Sequence, residues 1–128
     1  MANPKIHNSN QWTDARFHGF KMALIRDGLR RWNPKHRCVR EAEIGEVFRA
    51  KTKRMCKTYQ CTHCNGVFTA DKMKADHIEP MVPLTGFTSW DDIMDRAFVE
   101  VEGFQAVCGG CHQIKSNEEK EIRLKYKT

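Results

Sequence analysis

Two Cys-x-x-Cys pairs, Cys61/Cys64 and Cys108/Cys111, constrain this chain more than any other feature. Two-residue spacing lets both thiolates of one turn bind a single tetrahedral ion, so two such turns make a closed four-thiolate site. One pair alone is ambiguous between zinc and redox chemistry, whereas two pairs favour zinc. The 43 residues between the pairs exceed the separation in a zinc ribbon, so the metal clamps a larger unit in which strands and a short helix are inserted. A chain of 128 residues with 40% hydrophobic and 30% charged side chains has little for a large core and often needs a staple, which its six cysteines could supply. Cys38 and Cys56 are unpaired in sequence and read as small apolar side chains.

No apolar run approaches the ~20 residues of a membrane span, and Met1-Ala2-Asn3-Pro4-Lys5 lacks the apolar core of a secretory signal. The expectation is a cytoplasmic chain with no membrane partner, a setting in which paired cysteines hold metal rather than form disulfides. Its charge is uneven. Residues 1–60 carry 14 Lys/Arg against 5 Asp/Glu, and residues 61–128 carry 8 against 11. All of the excess positive charge therefore precedes the first cysteine pair. Such an arm, joined to a metal-binding half, points to a polyanion held by one part and acted on by the other; a solubilising basic surface is the plain alternative.

Read in order, residues 1–11 are polar and expected to be loose. An amphipathic helix starts at Thr13 or Asp14, with Phe17, Phe20, Leu24 and Gly28 at helical spacing and Ile25, Leu29 and Trp32 widening the stripe. Core packing, rather than base stacking, is the reading of Phe17, Phe20 and Trp32. Asn33-Pro34 ends this helix and opens a second one carrying Val39, Ala42 and Phe48, and the two are expected to pack as a hairpin with a basic face. Arg30, Arg31, Lys35, Arg37 and Arg40 lie on that face. Residues 49–57, which include Lys51, Lys53 and Arg54, read as a basic linker ordered only against phosphate. Strands follow at Tyr59–Cys64, 66–69 and Lys72–Ile78, with Pro80 as a stop. Ser89 caps a helix running to about Phe98, Val99–Val107 is extended, and a last helix runs from near Cys111 to Tyr126. This gives an α+β chain with a basic helical arm over 1–58 and a zinc-stapled core over 59–128.

The chemistry concentrates at Asp76-His77 and His112. Adjacent residues on a strand point to opposite sides, so one of the first pair can hold a metal while the other faces a water to be activated. If zinc ties Cys111 close to Cys64, His112 reaches the strand that carries Asp76. One carboxylate and two imidazoles are suited to holding a hard divalent ion and activating water beside it. An imidazole with an ordinary pKa of ~6.5 accepts a proton at neutral pH, which lysine does not. His63 competes as a ligand but sits inside a zinc turn, where a solvated role fits better. His7, His18 and His36 show no evident partner in the sequence.

Cys61-x-x-Cys64, Asp76-His77-Ile78-x-Pro80 and Cys108-x-x-Cys111-His112-x-x-Lys115 together resemble the zinc-bearing HNH endonucleases, with their ββα-metal core. The resemblance spans residues 59 to about 120. The basic arm and Gly86-Phe87-Thr88-Ser89-Trp90-Asp91-Asp92 look like the small HNH proteins of tailed phages. The resemblance implies that His77 is the general base and that Asp76 and His112 bind one Mg²⁺ or Mn²⁺. It also implies structural zinc on the four cysteines and a phosphate contact for Lys115. Where the family usually has Asn, five residues before the third cysteine, this chain has Gly103; either Gln105 substitutes or the loop is held another way. A phage-encoded DNA endonuclease in the host cytoplasm is the expectation, nicking as a monomer or cutting both strands as a homodimer, with other phage DNA-processing proteins as further partners. The alternatives are a non-catalytic zinc-stabilised nucleic-acid-binding protein and a branched-DNA (Holliday junction) resolvase resembling the phage recombination endonuclease VII.

Overall fold

Asn33-Pro34 marks the point at which the chain divides, in a computed structural model that describes residues 3–127, into one unit up to Trp32 and another from Asn33 onward. In the first unit β1 (Lys5–His7) pairs antiparallel with β2 (Trp12–Thr13), and α1 (Asp14–Leu29) follows directly. The stretch expected to be loose is thus partly a strand. Aromatic contacts account for this: the His7 ring lies 4.6 Å from Phe17 and Trp12 lies 5.1 Å from Phe20. His7 Nε2 also meets Asp14 Oδ1 at 2.5 Å, the partner that the sequence did not reveal. Asn8, Ser9 and Asn10 take positive φ in the connecting turn, where short polar side chains are tolerated. Thr13 caps α1 through Oγ1, which accepts from the Arg16 N–H. The buried face of α1 is Met22, Ile25 and Leu29, while Phe20 and Leu24 are exposed, which shifts the apolar stripe away from its expected line.

In the second unit α2 (Asn33–Arg40) ends well before Phe48. Glu43–Arg49 form β3, which pairs with β4 (Arg54–Gln60), and β4 pairs with β5 (Val67–Thr69) in an antiparallel sheet of order β3-β4-β5. Phe48 therefore belongs to a strand. By Ala42 the backbone has already left the helical ladder, its carbonyl accepting from the Gln60 N–H. The stretch 49–57 is likewise no linker: it is the turn and outer half of a hairpin, closed at Arg49↔Arg54, with Lys53 at φ 55°. Its backbone is satisfied by β3, and Lys57–Glu43 and Arg49–Asp71 ion pairs offset part of its charge.

The remaining elements are β6 (Met73–His77), α3 (Trp90–Ala97), β7 (Phe104–Cys108) and α4 (Gly109–Lys125). β6 and β7 pair antiparallel from Met73↔Cys108 to His77↔Phe104, and α4 begins on the residue after β7. Both α2 and α4 pack against this strand pair. That cover explains why β7 is buried on both faces, through Phe104 and Ala106 on one and Val107 on the other. Ser89 caps α3 as expected, Oγ accepting from the Asp92 N–H at 3.1 Å, and Ile93 and Ala97 enter the core. Arg123, near the end of α4, donates to the Val82 and Pro83 carbonyls and so holds the loop between β6 and α3. Between Val99 and Phe104, where extended chain was expected, Val101–Gly103 form a 3₁₀ turn.

Candidate functional site

The four cysteines of the two pairs converge. Sγ atoms of Cys61, Cys64, Cys108 and Cys111 all lie within 4.8 Å of one another, and Cys64 and Cys108 are 3.9 Å apart. A tetrahedral zinc with bonds of ~2.3 Å holds its sulfurs about 3.8 Å apart, so the cluster has the dimensions of a metal site such as zinc. Its turns are built for thiolates: the Gly66 N–H donates to Cys64 Sγ and the Cys111 N–H to Cys108 Sγ, each at 3.4 Å. Asn65 takes φ 60° in the first turn, and a Cβ on Gly66 would lie 2.8 Å from the Phe68 ring, so the tight return needs glycine. Thr62 anchors this turn to β7 by donating both its N–H and its Oγ1–H to the Ala106 carbonyl, each at 3.0 Å.

The cluster's acidity follows from this crowding. Burial pushes the Cys61 thiol up, but the N–H groups of Cys64, Cys108 and His63 and the Cys64 side chain outweigh it and bring it down to about 6. Cys111 is pushed up to about 12 by the Cys108 side chain, by burial, and by Cys61 and Cys64. Without a cation the cluster tolerates little negative charge; with one, all four sulfurs can ionise. Cys38 and Cys56 stay outside the cluster. Cys38 is buried on α2, and burial, helped by Glu41, raises its thiol.

Zinc-sized closure at Cys108 and Cys111 fixes the first turn of α4 beside β6, which brings Asp76 and His112 together. Asp76 is 11% exposed, and its two oxygens have different surroundings. Oδ2 accepts from Lys115 Nζ at 2.5 Å and from Gln105 Nε2 at 3.0 Å. Oδ1 faces His112 Nε2 at 3.7 Å, beyond hydrogen-bond length. Two metal bonds of about 2.1 Å can span up to about 4.2 Å, so this separation admits one small divalent ion between them. Lys115 also donates to the carbonyls of His77 (2.5 Å) and Ile78 (3.4 Å), so it fastens the end of β6 to α4 rather than reaching outward to phosphate. Its position three residues beyond His112, on the same helix face, was a readable signal for this contact.

His77 points elsewhere. Its ring packs on Phe104, 4.7 Å between centroids, and Nε2 lies 2.9 Å from the Ala97 carbonyl at the end of α3. A carbonyl only accepts, so Nε2 carries the hydrogen of the neutral ring and Nδ1 keeps the free lone pair. Asp76 and His77 thus diverge as strand neighbours do, one toward α4 and the other toward α3. His63 is exposed in the first cysteine turn.

At Gly103, space decides the residue. A Cβ there would fall 2.5 Å from Val99 Cγ2 and 2.7 Å from Val99 Cβ. The loop is held by its backbone, with the Ile78 N–H donating to the Gly103 carbonyl at 3.0 Å, while Gln105, opposite Asp76 in the ladder, bonds that carboxylate. Gly103→Asn is therefore expected to destabilise the fold by about 1–3 kcal/mol through overpacking, read as a lowered midpoint in denaturant; an unchanged midpoint would show that Val99 yields freely.

The basic residues are dispersed. Arg30 and Arg31 follow α1 in the first unit. Lys35 and Arg40 of α2, with His36, Tyr59, Lys74 and His112, line a groove of about 620 Å³ along β6, whose outer edge has no strand partner among the described residues. Lys74 and His36 were not among the expected nucleic-acid contacts. Arg37 pairs with Glu41 at 2.9 Å, and Lys51, Lys53 and Arg54 sit at the tip of the β3–β4 hairpin. No helix among the described residues is long and apolar enough to cross a membrane. Comparison with family models, with curated proteins and with solved structures finds no match.

Proposed function

We propose that the chain is a metal-dependent DNA endonuclease of the HNH type, hydrolysing phosphodiester bonds with Asp76 and His112 as ligands of one Mg²⁺ or Mn²⁺ and His77 as general base. One observation carries the reading: Asp76 turns one oxygen to His112 across 3.7 Å while Lys115 and Gln105 hold the other. A carboxylate with one oxygen restrained by donors and the other aimed at an imidazole is oriented as a metal ligand needs to be. The run of β6, β7 and α4, with a four-cysteine cluster where β7 passes into α4, supports this reading.

Asp76 and His112 would hold the divalent ion, whose chemistry would be to offset negative charge on the scissile phosphate and the departing 3′ oxygen. His77 Nδ1 takes the proton of the attacking water, and Nε2–H, bonded to the Ala97 carbonyl, fixes the tautomer that makes this possible. The water oxygen forms the new bond to phosphorus, the bond to the 3′ oxygen breaks, and that oxygen takes a proton from solvent, leaving 5′-phosphate and 3′-hydroxyl ends. Lys35, Arg40 and Lys74 in the groove beside His112 hold neighbouring phosphates, which positions a strand without reading its sequence.

Plasmid incubated with the zinc-loaded protein and Mg²⁺ or Mn²⁺ is expected to relax from supercoiled to nicked or linear form, and Asp76→Asn is expected to abolish this. A zinc-stabilised binding protein without catalysis would retard the plasmid and leave it supercoiled under every metal. A junction resolvase would cut a four-way junction in preference to linear duplex.

A further inference from the structure

We propose that the outer end of the β3–β4 hairpin enters a groove of duplex DNA as an apolar wedge, Phe48 and Met55 prying open a base step while Lys51, Lys53 and Arg54 hold the flanking phosphates. The proposal rests on the DNA-binding reading above and adds to it a deformation of the substrate.

Phe48 and Met55 are direct partners across the ribbon, so their side chains stand together on one face, one pair in from the turn. They are 60% and 59% exposed. A cross-strand pair adds only about 0.2–1 kcal/mol to a solvated ribbon, and a charged or turn-forming pair there would blunt the exposed edge instead. Residues 49–57 hold five Lys/Arg and no Asp/Glu; Arg49 pairs with Asp71 and Lys57 with Glu43, which leaves Lys51, Lys53 and Arg54 as the charge of the tip. Apolar wedges flanked by cations are what proteins insert between base steps, and Phe and Met are among the side chains that serve. Two-stranded ribbons of other proteins lie in the major or the minor groove of duplex DNA.

The same strands limit how far insertion can go. Two pairs further in, Glu46 stands opposite Lys57, and Lys57 bridges Glu43 at 3.4 Å, so negative charge begins just behind the tip. Other occupants fit less well. Two side chains offer too little apolar area to anchor on a lipid surface, and two copies meeting tip to tip would bring Lys51, Lys53 and Arg54 of both together.

The test uses the full zinc-loaded chain carrying His77→Ala, so that DNA stays intact, and a duplex of roughly 20–30 base pairs with 2-aminopurine at successive steps and a dye pair at its ends. Expected are a rise in 2-aminopurine fluorescence on binding and a shortened end-to-end distance. Adding Phe48→Ala and Met55→Ala should remove both signals and weaken binding about ten-fold, with an unchanged slope of log K against log salt. Adding Phe48→Leu and Met55→Leu should keep both signals. Lys51→Ala, Lys53→Ala and Arg54→Ala together should lower the slope by up to about 2.7. Both apolar positions are exposed, and zinc content with thermal midpoint checks that each variant is folded.

The wedge is overturned if the double alanine variant unstacks and bends the duplex as its parent does, or if the parent binds with neither signal. It is also overturned if those substitutions act by changing the chain's association state without DNA, or if the tip instead drives binding to phosphatidylcholine–phosphatidylserine vesicles. Plasmid cleavage by the chain with His77 intact separates the failures. Cleavage without unstacking removes the wedge alone, whereas absence of both DNA binding and cleavage removes the reading beneath it.

Discussion

Replacing His77 with alanine is expected to slow phosphodiester cleavage by about 10²–10⁴-fold, the range that a positioned general base contributes, while zinc content, divalent-ion binding and DNA affinity persist. The separation of effects follows from the geometry. His77 faces the end of α3 and Phe104, and the Asp76–His112 pair lies on the α4 side of the same strand. Removing the imidazole therefore leaves Asp76, with its Lys115 and Gln105 contacts, and His112 in place. Some packing against Phe104 is lost, so the thermal midpoint falls modestly. Single-turnover nicking at saturating Mg²⁺ reads the chemical step; a His77→Ala rate within a few-fold of the parent would remove His77 as the base.

Cys61→Ser is expected to have the largest effect on stability. Cys61 is fully buried, neighbouring N–H groups and the Cys64 side chain bring its thiol down to about 6, and its turn is bonded to β7 through Thr62. Zinc bound by four thiolates contributes to folding directly, with apparent binding free energies of roughly 10–16 kcal/mol in small zinc-finger peptides. Losing one ligand forfeits a large share of that, in a unit whose core is small. Expected are loss of stoichiometric zinc by elemental analysis and loss of a cooperative thermal transition for the unit from Asn33 onward, and the same outcome on stripping zinc from the parent with a strong chelator. Cys56→Ser, outside the cluster and half-buried, should change stability by less than about 1 kcal/mol. A Cys61→Ser protein that keeps both its zinc and its midpoint would show that the four sulfurs do not share an ion.

How much of this was readable beforehand depended on how local the signal was. Cysteine spacing was enough to expect convergence of Cys61, Cys64, Cys108 and Cys111, because thiolates two apart in a turn have few other uses in pairs. The end of β6 at Asp76-His77 and the Ser89 cap of α3 were equally local, written in alternation before Pro80 and in Ser-x-x-Asp. Phe48 was misread: nine residues beyond Val39, it falls half a turn off that helix's stripe, and Glu43–Arg49 is held as a strand by its partner β4. The basic stretch 49–57 read as linker for the same reason: its backbone is satisfied only by another strand. His7 pairing with Asp14 depends on a turn of three residues in positive φ, which no periodicity announces. Lys115 was seen as a cation seeking phosphate, yet in the fold Asp76 is nearer; which anion a lysine meets is settled by tertiary placement, not by its neighbours in sequence.

The most direct measurement is a titration of the zinc-loaded chain with Mn²⁺, following free ion by electron paramagnetic resonance, for the parent, Asp76→Asn, His112→Ala and His77→Ala. Expected is one Mn²⁺ per chain for the parent and for His77→Ala, with affinity reduced at least about ten-fold in Asp76→Asn and His112→Ala. Equal Mn²⁺ binding by all four proteins would mean that Asp76 and His112 do not hold the ion, and the proposed active site would fall with them.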